Sequence, residues 1–448
     1  MSVQRVADFV VHARWDDLPD PVQRQAKMCL VDTLGVILAG TLTRVSRITA
    51  AYAARIWPGD GATIFLQGTR SSPVGAAFAN GWAANAVDSD DIVRYAGHAG
   101  GQVVPAALAL AEALGKDGPS LLAAIVVGYE VAHRIGRCWH DAHHIYQSEG
   151  AWGSVACAAT AAHLMGLREH QVVEALGIAE YHAPNAPMMV DIDHPAMVKH
   201  AMGWGAMNGV VSAELAADGF TGTPTLLDHE RYTEWVNDIG RSYVMVDGLT
   251  RKRKGFACCA WTHGAAEAAR NLVEEHGIPL DAIAEIRVET FHEGLRLGTD
   301  LPTTTEEAQF NMAWPVAAMV LDGEIGPRQT LEDRLTDPEL RDLAAKVTVV
   351  ESNELNRLAE LFERGDRRGR WASRVSIRDR AGKAFTSGLE DGGFHFPAPV
   401  WTEADIEDKF RWLGAMVLDE QRLDRILDTI WTGEGLSDVR ELTALMGD

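Results

Sequence analysis

Four short stretches of this chain bring together side chains able to hold or move a proton. The first runs Asp88-Ser-Asp90-Asp91-Ile92-Val-Arg94-Tyr-Ala-Gly97-His98. Three carboxylates, an arginine and a histidine fall here within eleven residues, just ahead of a helix opened by Pro105. A histidine in such a loop can act as acid or base, and a neighbouring aspartate can orient it. A following helix N-terminus favours anions. A polar loop of caps and surface ion pairs is the plainer alternative, and this segment alone leaves both open. Its glycines are not a dinucleotide fingerprint, because no strand precedes them.

The second stretch, Met197-Val-Lys199-His200, leads a lysine into a helix otherwise short of charge, where an ammonium could meet a substrate carboxylate. Taken alone, it reads as a solvated first-turn lysine. The third, Arg251-Lys252-Arg253-Lys254-Gly-Phe-Ala-Cys258-Cys259-Ala-Trp-Thr-His263, sets four cations before an apolar, thiol-bearing helix start. Such a run is usually a surface patch, but here one cation can turn into a cleft. Cys259 and His263 have the spacing of one helix face, yet two ligands do not make a zinc site, and buried structural cysteines are common. The fourth stretch holds His140, His143, His144, Gln147 and Glu149. Its histidines have helical ligand spacing, but no HExxH, cysteine cluster or calcium loop supports a metal. It reads as a polar loop lining a cleft. With no P-loop and no GxSxG elbow either, the expectation is catalysis with neither metal nor organic cofactor.

These loops need a scaffold. Up to about residue 265 the chain reads as one Ala- and Leu-rich helix after another, punctuated by Gly and Pro at Pro58–Gly61, Gly115–Pro119 and Gly219–Pro224. The texture then changes. Ala282–Phe291 and Ala345–Glu351 alternate like strands, and Ser373–Leu389 reads as two strands joined at Asp379–Lys383. A helix is expected between them at Glu306–Leu321. Helical texture returns after Pro399, with Thr402 and Asp405 as a start cap. The expected fold is therefore mostly α with an α+β insert. Residues 1–270 and 398–448 form a helical domain, and residues 271–397 form a smaller α+β lid. A cleft between two such bodies is a usual place for a small-molecule site.

Composition narrows the function. With 63 acidic against 41 basic residues the net charge is −22, which argues against nucleic acid and anionic membrane surfaces as partners. An anionic substrate stays open, since a few pocket cations can override the global sign. Five cysteines, an odd number with no CxxC pair, point to a reducing, cytoplasmic setting. The first residues read as an amphipathic helix, not a signal peptide, and the apolar run Leu30–Ala39 carries Asp32 and is too short to span a bilayer.

In order and spacing, several blocks together resemble the MmgE/PrpD family. They are VDTLGVILAG, NGWAANAVDSDD with GHAGGQVVPAALALAEAL, LLAAIVVGYEVAHRIGR, GWGAMNGVVSAELAADGFTG, KGFACCAWTHGAAEAA, EEAQFNMAWPVAAMVLDGEIG and DKFRWL. Members of that family dehydrate 2-methylcitrate, decarboxylate cis-aconitate or epimerise iminodisuccinate. The resemblance implies a homodimer of two-domain chains acting on small di- or tricarboxylates without metal or iron–sulfur cluster. It also implies that Asp88, His98, Lys199 and Lys254 are catalytic; within the basic run, Lys252 is expected to be solvated. Asp91, Ile92, Arg94, Gln147, Glu149, Cys259, His263 and Trp314 would touch substrate. Several positions depart from the family pattern. Gln147 stands in place of a second histidine, Ile92 of a threonine, Cys259 of a histidine and Trp314 of a tyrosine; Glu149 and Trp152 replace smaller or polar residues. The shared chemistry is removal of a proton from carbon next to a carboxylate, with ammonium groups stabilising the charge that builds up. His98 would be the acid–base group and Asp88 its orienter. The leading expectation is a lyase, a hydro-lyase first; the alternatives are an epimerase or isomerase and a non-catalytic binding protein.

Overall fold

Helices poor in side-chain bulk can pack at close range. In a computed structural model describing residues 2–447, the chain uses this throughout its first half. The helices Pro73–Ala83, Gly100–Leu114, Gly118–Ala142, Gly150–Met165 and Met202–Ala217 lie against one another. At Gly209 a Cβ would stand 2.3 Å from Cys157 Cβ, so only glycine permits this approach of the last two. The long Gly118–Ala142 helix is capped by Asp117, whose carboxylate accepts from Ser120 N. The returning C-terminal segment begins as its sequence implies: Thr402 caps Asp405 and starts the Glu403–Gly414 helix, which packs along Asp20–Gly40.

The α+β part carries a four-stranded sheet of β1 (Ile283–Thr290), β2 (Val347–Glu351), β3 (Arg374–Asp379) and β4 (Ala384–Thr386), in the order β2-β1-β3-β4. β1 pairs parallel with β2, Ile286 opposite Val347, and antiparallel with β3, Val288 opposite Val375. Ile283, Ile286 and Val288 are all buried although the first two are three residues apart; an irregularity in register between Ile283 and Glu285 restores the inward face. Two expectations need correction. The helix at Glu306–Leu321 is broken into Thr305–Gln309 and Ala313–Asp322: Pro315 has no N–H to continue a ladder, and Asn311 Oδ1 accepts from Trp314 N to start the second helix. The first half is also not purely helical. Ile92–Val93 pairs antiparallel with Leu249–Thr250, which draws the aspartate loop beside the basic run.

The apolar interior has two large cores. One core runs from Val3 to Leu249 and is completed by Ile406–Met446; the other spans Phe256–Ile377 and recruits Met188 and Ile192. The fold is mostly α with a smaller α+β part. All five cysteines are buried and unbridged. Among the described residues no single helix is long and apolar enough to cross a membrane.

Candidate active site

The loop after the Pro73–Ala83 helix is gripped from several sides. Lys252 Nζ donates to the Asp88 carbonyl at 2.7 Å and Lys409 Nζ to the next one, Ser89, at 2.5 Å. Ser89 Oγ donates to Phe256 O, and Tyr129 Oη donates to Asp91 at 2.7 Å. Lys409 is itself paired with buried Asp32 at 2.7 Å. Two lysines, a tyrosine hydroxyl and a backbone carbonyl thus hold Asp88–Asp91 still. Asp88 has φ 47°, a left-handed conformation that a non-glycine residue keeps only when its surroundings fix it.

This rigid loop forms the inner wall of a cavity of about 710 Å³. His98 Nδ1 lies 3.1 Å from Asp90 Oδ2, and its Nε2 is 3.6 Å from Asp88 Oδ1. Asp90, rather than Asp88, is therefore the carboxylate placed to orient this imidazole. Asp88 instead pairs with Lys252 at 2.8 Å. Burial opposes ionisation of Asp88, but Lys252, Lys199, His98 and His200 outweigh it and hold the carboxyl well below its usual range. Burial likewise opposes a charge on His98, yet Asp90 and Glu149 prevail and raise it to about 9. Its resting form at neutral pH is the imidazolium.

A second imidazole stands alongside. His200 lines the cavity with its ring 5.7 Å from that of His98 and nearly parallel to it. Its Nδ1 is 2.8 Å from Asp191, which also accepts from the His200 backbone N–H. Lys199, His200 and Ala201 have φ of 31°, 56° and 61°, three left-handed non-glycine residues in a row. Such backbone costs roughly 1–2 kcal/mol per residue, and here it turns the His200 ring into the cavity. Glu149 approaches from the start of the Gly150–Met165 helix. Its Oε2 accepts from His98 N at 2.6 Å, and burial raises its carboxyl above the ordinary value. Gly97, at φ +56°, makes room: a Cβ there would sit 1.9 Å from Glu149 Oε1.

Of the residues singled out from the sequence, Asp88, Ile92, Arg94, His98, Glu149 and Cys259 line the cavity. Cys259 is a thiol that burial pushes far up, not a ready nucleophile. The others lie elsewhere. Lys254 sits at the corner of a turn closed by Phe256 N to Arg253 O, largely exposed and paired with Asp408 at 2.9 Å. Lys252, expected to be solvated, is fully buried and lines the cavity. The placements of these two lysines are thus the reverse of the expectation, because the turn at Gly255, φ +88°, swings Lys254 outward. Lys199 is buried just behind the cavity, donating to Gln309 Oε1 at 2.6 Å with its Nζ over the Phe310 ring, and burial lowers its pKa. Asp91 is behind the loop, raised by burial and by Asp32 to about 6. Gln147 accepts from Trp139 Nε1, His263 is stacked on Phe256 with Nε2 near Cys258 O, and Trp314 is a core residue donating to Gln329 O. Asp90, Lys252 and His200 were not singled out for their own chemistry, although each lies within two residues of one that was.

Asp88, His98 and His200 offer three ligand atoms within 4.8 Å of one another. The donor set suits a cation poorly: Lys252 already occupies Asp88 Oδ1, and His98 is held protonated. His140, from the other histidine cluster, faces the cavity with Nε2 on Tyr95 O, and burial lowers it to about 4.

A helical body completed by the chain's far end, a smaller α+β part, and paired imidazoles and lysines between them describe one class of enzyme fold. The MmgE/PrpD N-terminal domain matches residues 4–236 and the C-terminal domain residues 256–432; the chain belongs to the MmgE/PrpD family. Among curated relatives it is 29% identical to the human cis-aconitate decarboxylase, covering 96% of this chain and 91% of the relative. It is 26% identical to the cis-aconitate decarboxylase-like protein oryM of Aspergillus oryzae, over 98% and 96% of the two chains. Against the Aspergillus terreus cis-aconitate decarboxylase the identity is 25%, over 96% and 93%. The family and these relatives make it a lyase-type enzyme in general terms.

Proposed function

We propose that this chain is a carboxylate lyase in which His98 is the proton donor, and that its reaction is decarboxylation. The observation that carries this reading is an imidazolium held charged at the cavity wall by Asp90 and Glu149. In the proposed step the bond from the substrate's α-carbon to a carboxylate breaks and carbon dioxide leaves. The electron pair passes into the neighbouring π-system as an enolate-like anion. His98 then delivers its proton to carbon, leaving a neutral imidazole that regains a proton from solvent. Lys252, kept as an ammonium because Asp88 and Asp90 outweigh its burial, stabilises the transient anion. Asp90 keeps the ring oriented, and His200 with Asp191 supplies a second polar contact on the same wall.

The names of the relatives support a carboxy-lyase over a hydro-lyase. Ring geometry disfavours an epimerase. Two bases acting on opposite faces of a substrate need roughly 7 Å between them, two carbon contact distances. The rings of His98 and His200 stack with centroids 5.7 Å apart, too close for a substrate to lie between them.

The test is carbon dioxide release from a panel of unsaturated and oxo-carboxylates, followed across pH. A proton donor that titrates at about 9 gives activity at neutral pH that is lost on the alkaline side. Loss on the acid side alone would make His98 a base and return the hydro-lyase reading. A panel yielding neither carbon dioxide nor a new C=C absorbance would sink both.

A further inference from the structure

The wall facing the imidazoles is built from the other part of the chain, and its chemistry is different. Phe362 stacks on Phe396 with ring centroids 4.7 Å apart and meets Trp371 at 4.7 Å. Trp371 continues to Phe394 at 5.4 Å and to Trp261 at 6.2 Å. All five line the cavity. Phe394 is buried, whereas the other four keep part of their rings uncovered. Uncovered aromatic faces inside a cavity are surface that a ligand can still remove from water. Beyond them the rim carries Glu293, Glu351, Glu360 and Glu363.

Size and charge agree on what such a space accepts. Pockets of roughly 300–1,000 Å³ enclose drug-sized ligands. At about 710 Å³ this one falls well inside that range, and a six-carbon polycarboxylate would leave most of it to water. A trianion also needs several uncommitted cations. Among the residues lining the cavity the permanent cations are Lys252 and Arg94. Lys252 is committed to Asp88; Arg94 stacks over Tyr95 and Phe396, donates to Arg364 O and keeps a buried Nε without a partner, so it is one uncommitted cation where a trianion needs several. His98 and His200 face Asp90 and Asp191, and His292 lies 3.4 Å from Glu351. Burial raises Glu363 to about 7, and the other three rim glutamates, Glu293, Glu351 and Glu360, would repel a polyanion on approach.

We propose that the substrate is a carboxylate bearing one large apolar or aromatic body, its carboxylate at the His98–Lys252 end and its body against Trp261, Phe362, Trp371 and Phe396. This deepens the lyase reading and rests on it. It separates the chain from the tricarboxylate named for its relatives: the inner wall keeps the acid–base groups, and the outer wall selects a different partner for them.

The experiment is titration of the full-length protein with 1-naphthylacetate and with tricarballylate, by tryptophan fluorescence and calorimetry. Naphthylacetate is expected to bind at least about tenfold more tightly. Trp371→Ala and Phe362→Ala should each weaken naphthylacetate by about tenfold and leave tricarballylate within about twofold, with Phe362→Leu recovering most of the loss. Circular dichroism establishes that each variant is folded, and Phe396→Ala replaces either one that is not. Tighter binding of tricarballylate, or naphthylacetate binding indifferent to all three aromatic residues, overturns the proposal. The two readings fail separately. Carbon dioxide released from cis-aconitate by a protein that binds naphthylacetate weakly overturns the substrate class alone. Tight, aromatic-dependent naphthylacetate binding without turnover of any acid overturns the lyase reading and leaves the aryl-carboxylate site standing.

Discussion

The two walls of the cavity obey different rules. On the inner wall the central charges are paired at close range: His98 with Asp90, His200 with Asp191, Lys252 with Asp88. Its backbone is held in left-handed conformations at Asp88 and at Lys199–Ala201. On the outer wall the groups are aromatic rings and glutamates on the Asn353–Glu363 helix and the loop around Phe394–Phe396, several of them partly exposed. A paired, strained and buried wall tolerates little change, because loss of one partner strands a charge. An aromatic wall can be repacked at modest cost. On the proposed reading, chemistry is therefore fixed on one side, and specificity is free to drift on the other.

The sharpest way to break this contrast is His98→Asn. Removing a general acid typically costs roughly 10²–10⁴-fold in rate, so kcat should fall in that range with KM little changed. A mild loss would move the acid–base role away from the inner wall. The same histidine predicts a stability profile. Its folded pKa of about 9 lies above the unfolded value of 6.5, so its stabilising contribution is complete below about 6.5 and is lost as pH rises through about 9. The melting temperature of the parent should decline across that window, and that of His98→Asn should not show this component.

Lys252→Met comes next. It strands buried Asp88, and breaking a buried pair costs roughly 3–5 kcal/mol. Pairing it with Asp88→Asn should restore most of the thermal stability but none of the activity, which separates the ammonium's chemical part from its structural one. Lys254→Met, two residues away and in solvent, should leave kcat/KM within about twofold. Equal effects at the two lysines would mean that the turn at Gly255 does not sort them.

On the outer wall the expected effects are smaller and of another kind. Trp371→Ala should raise KM by about tenfold for an aromatic substrate with kcat nearly unchanged, the pattern of lost uniform binding. A fall in kcat instead would show that the outer wall takes part in the chemistry. Chelation should have the least effect of all. Exhaustive EDTA treatment is expected to leave activity and fold intact; activity lost and then restored by zinc would place a metal on Asp88, His98 and His200.

Much of this was legible in the residues alone. Helical texture, the strands after residue 282, the Thr402 start cap and the clustering of carboxylates with a histidine in the Asp88–His98 loop follow from periodicity, propensity and local composition. These are short-range properties, and one sequence carries them in full. The sequence also determined that the cavity would be crowded with carboxylates and histidines. Pairing belongs to the tertiary structure. His98 could have turned to Asp88, Asp90 or Asp91, which lie within ten residues of it, and the choice fell to Asp90 only when Lys252 took Asp88 and Tyr129 took Asp91. Those partners come from 164 and 38 residues away, beyond the reach of any local pattern. Lys252 and Lys254 look alike in sequence because exposure is not written in a residue's type. The Ile92–Val93 pairing with Leu249–Thr250 and the turn that follows decided which ammonium meets the loop and which meets water.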